Sequence, residues 1–263
     1  QFSSANSINI GRLVPQVVYY VYAYAKLLEN EQIENGEEIN VVVPTGNFGN
    51  ILAAYFAKHM GVPIKTLICA SNDNKVLYDF FTTGTYDRKR EFILTNSPSM
   101  DILISSNLER LIYLSTGCDA AADAALMKDL SEKGSYPVTE SMRQFMSDFS
   151  KIFEDTGYLI DTHTGVAATV YNAYKAETGD QTKTVIASTA SPYKFSHSVL
   201  EAIKGKSAVE GKDEFAVVDE LSEVSGTQVP KAVEELRSAV IRHNTECDVD
   251  KMGETVKNIL GIA

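Results

Sequence analysis

Five consecutive residues, Gly46-Asn47-Phe48-Gly49-Asn50, carry the clearest chemistry in this sequence. They follow the β-branched run Val41-Val42-Val43 and the pair Pro44-Thr45, and they precede a helical pattern from Ile51 to Met60. The spacing predicts a strand, a tight turn and a helix. The first turn of a helix leaves backbone N–H groups unpaired, and its dipole end is positive. Glycines let such a turn wrap an anion without Cβ clashes, and a phosphate is the natural occupant. On spacing alone, a structural turn and a phosphate cradle both stay open. No Gly-Lys-Ser/Thr follows, so this is not a Walker loop. The missing leading Gly-x-Gly excludes a dinucleotide fingerprint.

Other residues invite a chemical reading. Asn6, Ser7 and Arg12 stand at the mouth of the apolar stretch Leu13 to Leu28. A hydroxyl, a guanidinium and a helix start together favour an oxyanion, although Arg12 alone reads as a surface residue. Asn6-Ser7 is expected to cap the helix. Thr189 ends an apolar strand, where a local hydrogen bond would be the ordinary role. His163 sits where a turn enters a helix, which favours capping or core packing over catalysis. Asn72 and Asn74 follow a strand end and could line a site or cap the next helix. Cys69, Cys118 and Cys247 have no metal or redox spacing, and no metal site is expected.

The elements that must position these residues are those of an α/β protein. The 263 residues carry a net charge of −11, which argues against nucleic acid or an anionic membrane as partner. With 44% hydrophobic and 22% charged residues, the composition is that of a globular chain. No apolar run reaches about 18 residues. The sparse cysteines fit a reducing cytoplasm. Leu13 to Leu28 is apolar nearly all round and is expected to be a deeply buried helix. Ile39–Val43 and Ile64–Cys69 are strands of parallel type joined by the helix of the central loop, a β-α-β unit. His59 complements that helix's C-terminus. Further helices are expected over 76–82, 108–114, 120–133, 139–154, 166–176, 198–203, 215–224, 231–243 and 249–260, with a last strand over 182–190. His197 and His243 read as surface residues.

Pro44-Thr45-Gly46-Asn47-Phe48-Gly49-Asn50 as a whole resembles the cofactor-phosphate loop of threonine synthases, which are tryptophan-synthase-β-like (fold type II) pyridoxal phosphate enzymes. Asn6-Ser7-Ile8-Asn9 with Arg12 is similar to that family's Asn-Ser-x-Asn-x-x-Arg. Ser97-Pro98-Ser99-Met100-Asp101-Ile102 and Ser105-Ser106-Asn107-Leu108-Glu109-Arg110 resemble its Ser-Pro-x-Met-Asp-Ile and Ser-Ser-Asn-Phe-Glu-Arg, a block read as structural, with Ser106-Asn107 capping a helix. The stretch from Tyr158 to Ala167 resembles a segment with Asp-Pro-His-Thr-Gly-Val-Ala, with Thr162 in place of proline. Ser188-Thr189-Ala190-Ser191-Pro192-Tyr193-Lys194-Phe195 is similar to Ser-Thr-Ala-x-Pro-x-Lys-Phe; the position before proline, often His, is Ser191 here.

The resemblance implies a three-layer fold, a parallel sheet flanked by helices. Residues 1–263 would form the pyridoxal-phosphate-binding large domain, with a helical insertion at about 118–156 and a helical C-terminal tail. It implies that Gly46, Asn47, Phe48, Gly49, Asn50 and Thr189 bind the cofactor, Thr189 at the pyridine nitrogen, and that Asn6, Ser7 and Arg12 bind the phosphate of O-phospho-L-homoserine. The reaction implied is conversion of that substrate and water to L-threonine and phosphate. The family's cofactor-holding lysine lies earlier, in a Phe-Lys-Asp sequence of a smaller N-terminal domain. This chain has no Phe-Lys-Asp, so no catalytic residue is assigned within it, Lys194 included. The chain is expected to be an inactive fragment whose partner is the missing domain, and the surface so exposed would drive homodimerisation. Another fold type II lyase would carry a glycine-richer loop and no second anion grip. A non-catalytic module binding a phosphorylated metabolite would lack the lysine.

Overall fold

A computed structural model describes residues 6–147, 149–152, 161–242 and 244–262. Its centre is a four-stranded, all-parallel sheet in which Phe149–Ile152, Ile64–Ala70, Ile39–Pro44 and Thr184–Ile186 lie side by side in that order. In chain order the elements begin with α1 (Ile10–Leu13), a 3-10 turn over Val14–Gln16 and α2 (Val17–Glu29). Then come β1 (Ile39–Pro44), α3 (Gly49–His59), β2 (Ile64–Ala70), α4 (Val76–Thr83) and β3 (Thr85–Asp87). These are followed by α5 (Leu108–Ser115), α6 (Ala120–Lys133), β4 (Ser135–Pro137), α7 (Glu140–Phe145) and β5 (Phe149–Ile152). The remainder is α8 (Thr162–Thr178), β6 (Thr184–Ile186), α9 (Ser196–Lys204), α10 (Glu214–Ser225), α11 (Lys231–Glu234) and α12 (Met252–Leu260). Among the described residues no helix is long and apolar enough to cross a membrane.

β1 is buried along its whole length, as a strand with helices on both faces must be. Successive side chains alternate between faces. Val41 and Val43 accordingly pack with α2 and α3, while Val42 packs with Ala167, Val170 and Tyr174 of α8. That gives three layers, as expected.

Three expected helices are corrected. The pattern over 139–154 ends at Phe145, and Phe149–Ile152 instead pairs in parallel with Leu67–Ala70. The apolar spacing fits a helix, but the open edge of β2 gives those backbone groups a ladder, which local periodicity cannot reveal. The expected insertion at 118–156 therefore returns a strand to the central sheet, and its β4 pairs antiparallel with β3. The pattern over 231–243 stops as α11 and a 3-10 turn ending at Ser238. Leu13 to Leu28 is neither one helix nor buried all round. Pro15, which lacks an N–H, sits in the 3-10 turn, and Val14, Val18, Tyr19, Val21 and Tyr22 are exposed. The last strand is short, limited to Thr184–Ile186. Residues 158–160, Phe153, Glu154 and His243 lie outside the described residues.

Asp180 ties the sheet together at its starting edge. Its Oδ2 accepts from Asn40 Nδ2 on β1 (3.1 Å), Lys65 Nζ on β2 (3.0 Å) and the Tyr174 hydroxyl on α8 (2.8 Å). Its Oδ1 accepts from the Thr182 amide (3.0 Å) and hydroxyl (2.6 Å) just before β6. The Thr182 hydroxyl, opposed by desolvation and helped by the other donors, holds this carboxyl far below the usual carboxylate range. A carboxyl depressed on folding stabilises the fold above its unfolded pKa, about 4, and loses that contribution as pH falls below it. Asp180→Asn is expected to lower the melting temperature at pH 7 by several degrees, on the scale of about 2–4 °C per kcal/mol. The gap to the parent should narrow as pH falls below about 4; a gap independent of pH would contradict this role.

Candidate functional site

The central loop leaves β1 at Thr45, whose amide donates to Ala70 O (2.9 Å) and whose hydroxyl donates to Val43 O (2.7 Å). Phe48 then takes a left-handed conformation, φ +65°. A bulky residue there is strained unless its surroundings hold it. The ring is buried, 6.0 Å from the Phe81 ring. Two bonds clamp the backbone just before Phe48: Ser105 Oγ donates to Gly46 O (2.6 Å), and the Asn107 amide donates to Asn47 O (3.1 Å). Phe48 stands at the N-cap of α3 and its side chain makes no capping bond, so the positive end of that helix meets the cavity with Gly49 and Asn50.

The two glycines are fixed by the protein itself. A Cβ on Gly46 would lie 2.5 Å from Ser99 O, and one on Gly49 would lie 3.2 Å from Asn107 Nδ2. Close approach of the 97–110 block is thus a reason for both glycines within the protein itself. Asn107 occupies the N-cap position of α5, but its side chain makes no capping bond and instead donates to Ser7 O (3.1 Å). Asn6-Ser7 does not cap α1 either. Asn9 does, accepting from the Gly11 amide (2.9 Å), while Asn6 Oδ1 accepts from the Ile8 amide (3.1 Å).

His163 lies buried in the first turn of α8, whose cap is Asp161. Its Nδ1 is 2.9 Å from Asp161 Oδ1, and its Nε2 accepts from the Ser99 amide (3.0 Å). The carboxylate side therefore carries the ring proton, and the neutral ring anchors Ser99 against Gly46. Burial disfavours ionisation of Asp161, but bonds from the His163 and Thr164 side chains and amides outweigh it and hold the carboxyl below its ordinary value. Thr164 Oγ1 also lies 3.2 Å from Ser188 Oγ, beside Thr189.

These elements enclose a cavity of about 850 Å3. All nine residues that the resemblance assigns to cofactor or substrate line it: Asn6, Ser7 and Arg12 from the α1 side, Gly46 through Asn50 from the loop, and Thr189 beyond β6. Thr189 and Arg12 are exposed within it. Gln16, Tyr19, Tyr20, Ser99 and His163 also line it, and the first three were not singled out. A signal existed: Arg12, Gln16, Tyr19, Tyr20 and Ala23 recur at helical spacing on one face. The Tyr20 hydroxyl, kept protonated by burial that raises its pKa well above the ordinary value, donates to Asn50 Oδ1. Asn72 and Asn74 neither line this cavity nor cap α4. Their side-chain amides donate to Asp101 Oδ1 (2.7 and 3.1 Å) in a buried network that folds residues 93–101.

The cavity's charge is distinctive. The chain has 35 acidic residues, yet among the described residues no Asp or Glu lines this cavity, and neither does any lysine. Arg12, a helix N-terminus and several amides and hydroxyls do. Such a donor set holds anions. Lys194 is exposed with its ammonium 5.4 Å from the Phe195 ring centroid, Lys128 is exposed on α6, and Lys212 pairs with Glu220.

A family profile described as "Threonine synthase, C-terminal" matches residues 164–241. The chain is 42% identical over 220 residues to "Threonine synthase-like 1" of Macaca fascicularis, covering 78% of this chain and 29% of that protein. It is 35% identical over 231 residues to threonine synthase of Saccharomyces cerevisiae, covering 77% of this chain and 44% of that protein. A crystal structure of PLP-bound threonine synthase from Brucella melitensis is similar with a TM-score of 0.66 and 37% identity, over 84% of this chain and 48% of that one. Yeast threonine synthase gives a TM-score of 0.76 at 27% identity, over 97% and 53%. The chain thus spans less than half the length of the first two relatives.

The packing at Gly46 yields a direct test. Gly46→Ala is expected to destabilise the protein by about 1–3 kcal/mol, the usual range for overpacking against backbone. Gly253→Ala, at an open helical position, should be neutral or slightly stabilising. Denaturant unfolding measures both, and equal stability of the two variants would mean that Ser99 yields freely.

Proposed function

Because the chain belongs to the threonine synthase family, we propose that its cavity binds pyridoxal phosphate and O-phospho-L-homoserine, in a protein that converts the latter and water to L-threonine and phosphate. The observation that carries this reading is the acid-free lining. A chain of net charge −11 keeps every carboxylate among its described residues off the wall of a cavity that presents Arg12 and the N-terminus of α3. Two phosphate-bearing ligands would meet donors there and no like charge.

The residues fit the cofactor. Gly46 through Asn50 would hold its phosphate with backbone N–H groups and the Asn47 and Asn50 amides. Asn50 Oδ1 is taken by Tyr20, so its Nδ2 is the end available to an anion. Thr189 would meet the ring nitrogen with a hydroxyl, which does not force that nitrogen to stay protonated. Pyridoxal phosphate, when bound, supplies an electron sink that eases proton removal from the substrate's carbon atoms. Arg12 and Ser7, beside Asn6, would grip the substrate's phosphate, countering charge on the group that departs. On this reading residues 1–263 make up the family's cofactor-binding large domain.

Among the described residues no lysine lines the cavity, and the histidine there, His163, is committed to Asp161 and Ser99. A lysine carried by the family's N-terminal domain would supply them. The lysine-free wall favours one refinement: the 263-residue chain alone binds ligands without turning them over. A cytoplasmic setting belongs to the same reading, with Cys69, Cys118 and Cys247 all free thiols.

Arg12→Ala is expected to weaken binding of O-phospho-L-homoserine about 100-fold, on the scale of a charge-assisted hydrogen-bond pair, while pyridoxal phosphate affinity changes little; equilibrium binding of each ligand measures this. Borohydride reduction of the chain with pyridoxal phosphate, followed by peptide mapping, should label no lysine stoichiometrically. A full label on Lys194, or threonine formation by the chain alone, would overturn the binding-only refinement. Homodimerisation is the remaining proposal, and a monomer in sedimentation at micromolar concentration would count against it.

A further inference from the structure

Asn107 and Arg110 join the central loop to the 6–12 arm, and neither is among the residues that line the cavity. The Asn107 amide donates to Asn47 O in the central loop (3.1 Å), and its side-chain Nδ2 donates to Ser7 O in the 6–12 arm (3.1 Å). Arg110 repeats the link one turn on: Nη1 donates to Asn107 Oδ1 (3.0 Å) and Nη2 donates to Ile8 O (2.8 Å). Because a guanidinium only donates, Arg110 fixes which end of the Asn107 amide faces it, and so directs Nδ2 at Ser7. Asn107 is fully buried, and its Nδ2 lies 3.2 Å from the place of a Cβ on Gly49, a tight contact. The bonds to Ser7 O and Ile8 O fall just before the arm's short helix. Ile8 and Ile10 are exposed, and α1 is a single turn.

We propose that Asn107 and Arg110 are positioning residues that set the separation between the site for the substrate's phosphate (Ser7, Arg12) and the site for the cofactor's phosphate (Gly46 through Asn50). The inference rests on the roles proposed above for those residues. One backbone N–H holds the loop, and two side chains hold the arm. Removing the side-chain bonds releases the arm at Ser7 O and Ile8 O and leaves the loop clamped by the Asn107 amide and Ser105. The defect therefore falls on one ligand only. A merely structural role for α5 would instead weaken both ligands together with the fold.

The test is equilibrium binding of pyridoxal phosphate and of O-phospho-L-homoserine to the full chain and to the variants Asn107→Asp, Arg110→Lys and Arg12→Ala, with melting temperatures recorded. Asn107→Asp keeps shape and backbone N–H but cannot donate to Ser7 O. Arg110→Lys keeps the charge but loses the fork. Each is expected to weaken O-phospho-L-homoserine about tenfold, the scale of one hydrogen bond, and to leave pyridoxal phosphate within about twofold. In Arg12→Ala, adding Arg110→Lys should cause little further loss, because the arm has already lost its grip. Unchanged substrate affinity in both α5 variants, with Arg12→Ala impaired, overturns the inference and leaves the proposed function intact. Parallel loss of both ligands also overturns it. Unchanged affinity in Arg12→Ala overturns the reading of the arm and the inference with it. Should Asn107→Asp fail to fold, Arg110→Lys carries the test alone, since Arg110 is only half-buried.

Discussion

The carbonyl oxygen of Ser99 stands where any side chain at position 46 would have to go, 2.5 Å from the place of a Cβ. Much of the cavity depends on that contact. The segment is held from behind by the neutral His163 ring, and His163 is held by Asp161, the cap of α8. Two residues on from Gly46, Phe48 takes positive φ, at a cost of order 1–3 kcal/mol. Burial of the Phe48 ring and the bonds from Ser105 and Asn107 offset that cost. The loop's form is thus held by the protein's own contacts.

Charge placement completes the site. A strongly acidic chain would repel phosphates unless the wall of the cavity were cleared of carboxylates. The acidic groups nearest in sequence are engaged elsewhere. Asp101 is surrounded by Asn72, Asn74 and Thr95 donors, and Asp161 by His163 and Thr164. Both are buried or half-buried acceptors used to shape the walls. The side chains that remain on the cavity are donors or apolar groups, with one guanidinium among them.

The 97–110 block is the least obvious contributor. Nothing in its composition suggests chemistry, and its only element of length is α5. Yet it touches the loop through Ser99, Ser105 and Asn107, and the arm through Asn107 and Arg110. Residues about 100 positions apart are brought into one bond, Asn107 to Ser7. A motif can therefore be distinctive because it positions other motifs.

The sequence by itself determined the elements whose signals are local. Val41 to Val43 read as a doubly buried strand, Gly46 to Asn50 as a turn into a helix, and Asn6, Ser7, Arg12 and Thr189 as motif residues. The strand and the turn follow from side-chain periodicity and turn chemistry, which a short window contains, whereas the motif residues came from the resemblance to threonine synthases. Tertiary structure alone decided the rest. Phe149–Ile152 became a strand because β2 offered an open edge. The Leu13 to Leu28 stretch buried Leu13, Val17, Tyr20 and Tyr24 and left Val18 and Tyr22 outside, since hydrophobicity says that a face seeks cover but not which neighbour this chain provides. Asn107 left its capping role for Ser7 because a buried amide takes the partner that packing delivers. That choice depends on contacts between distant segments, and distance along the chain does not encode them.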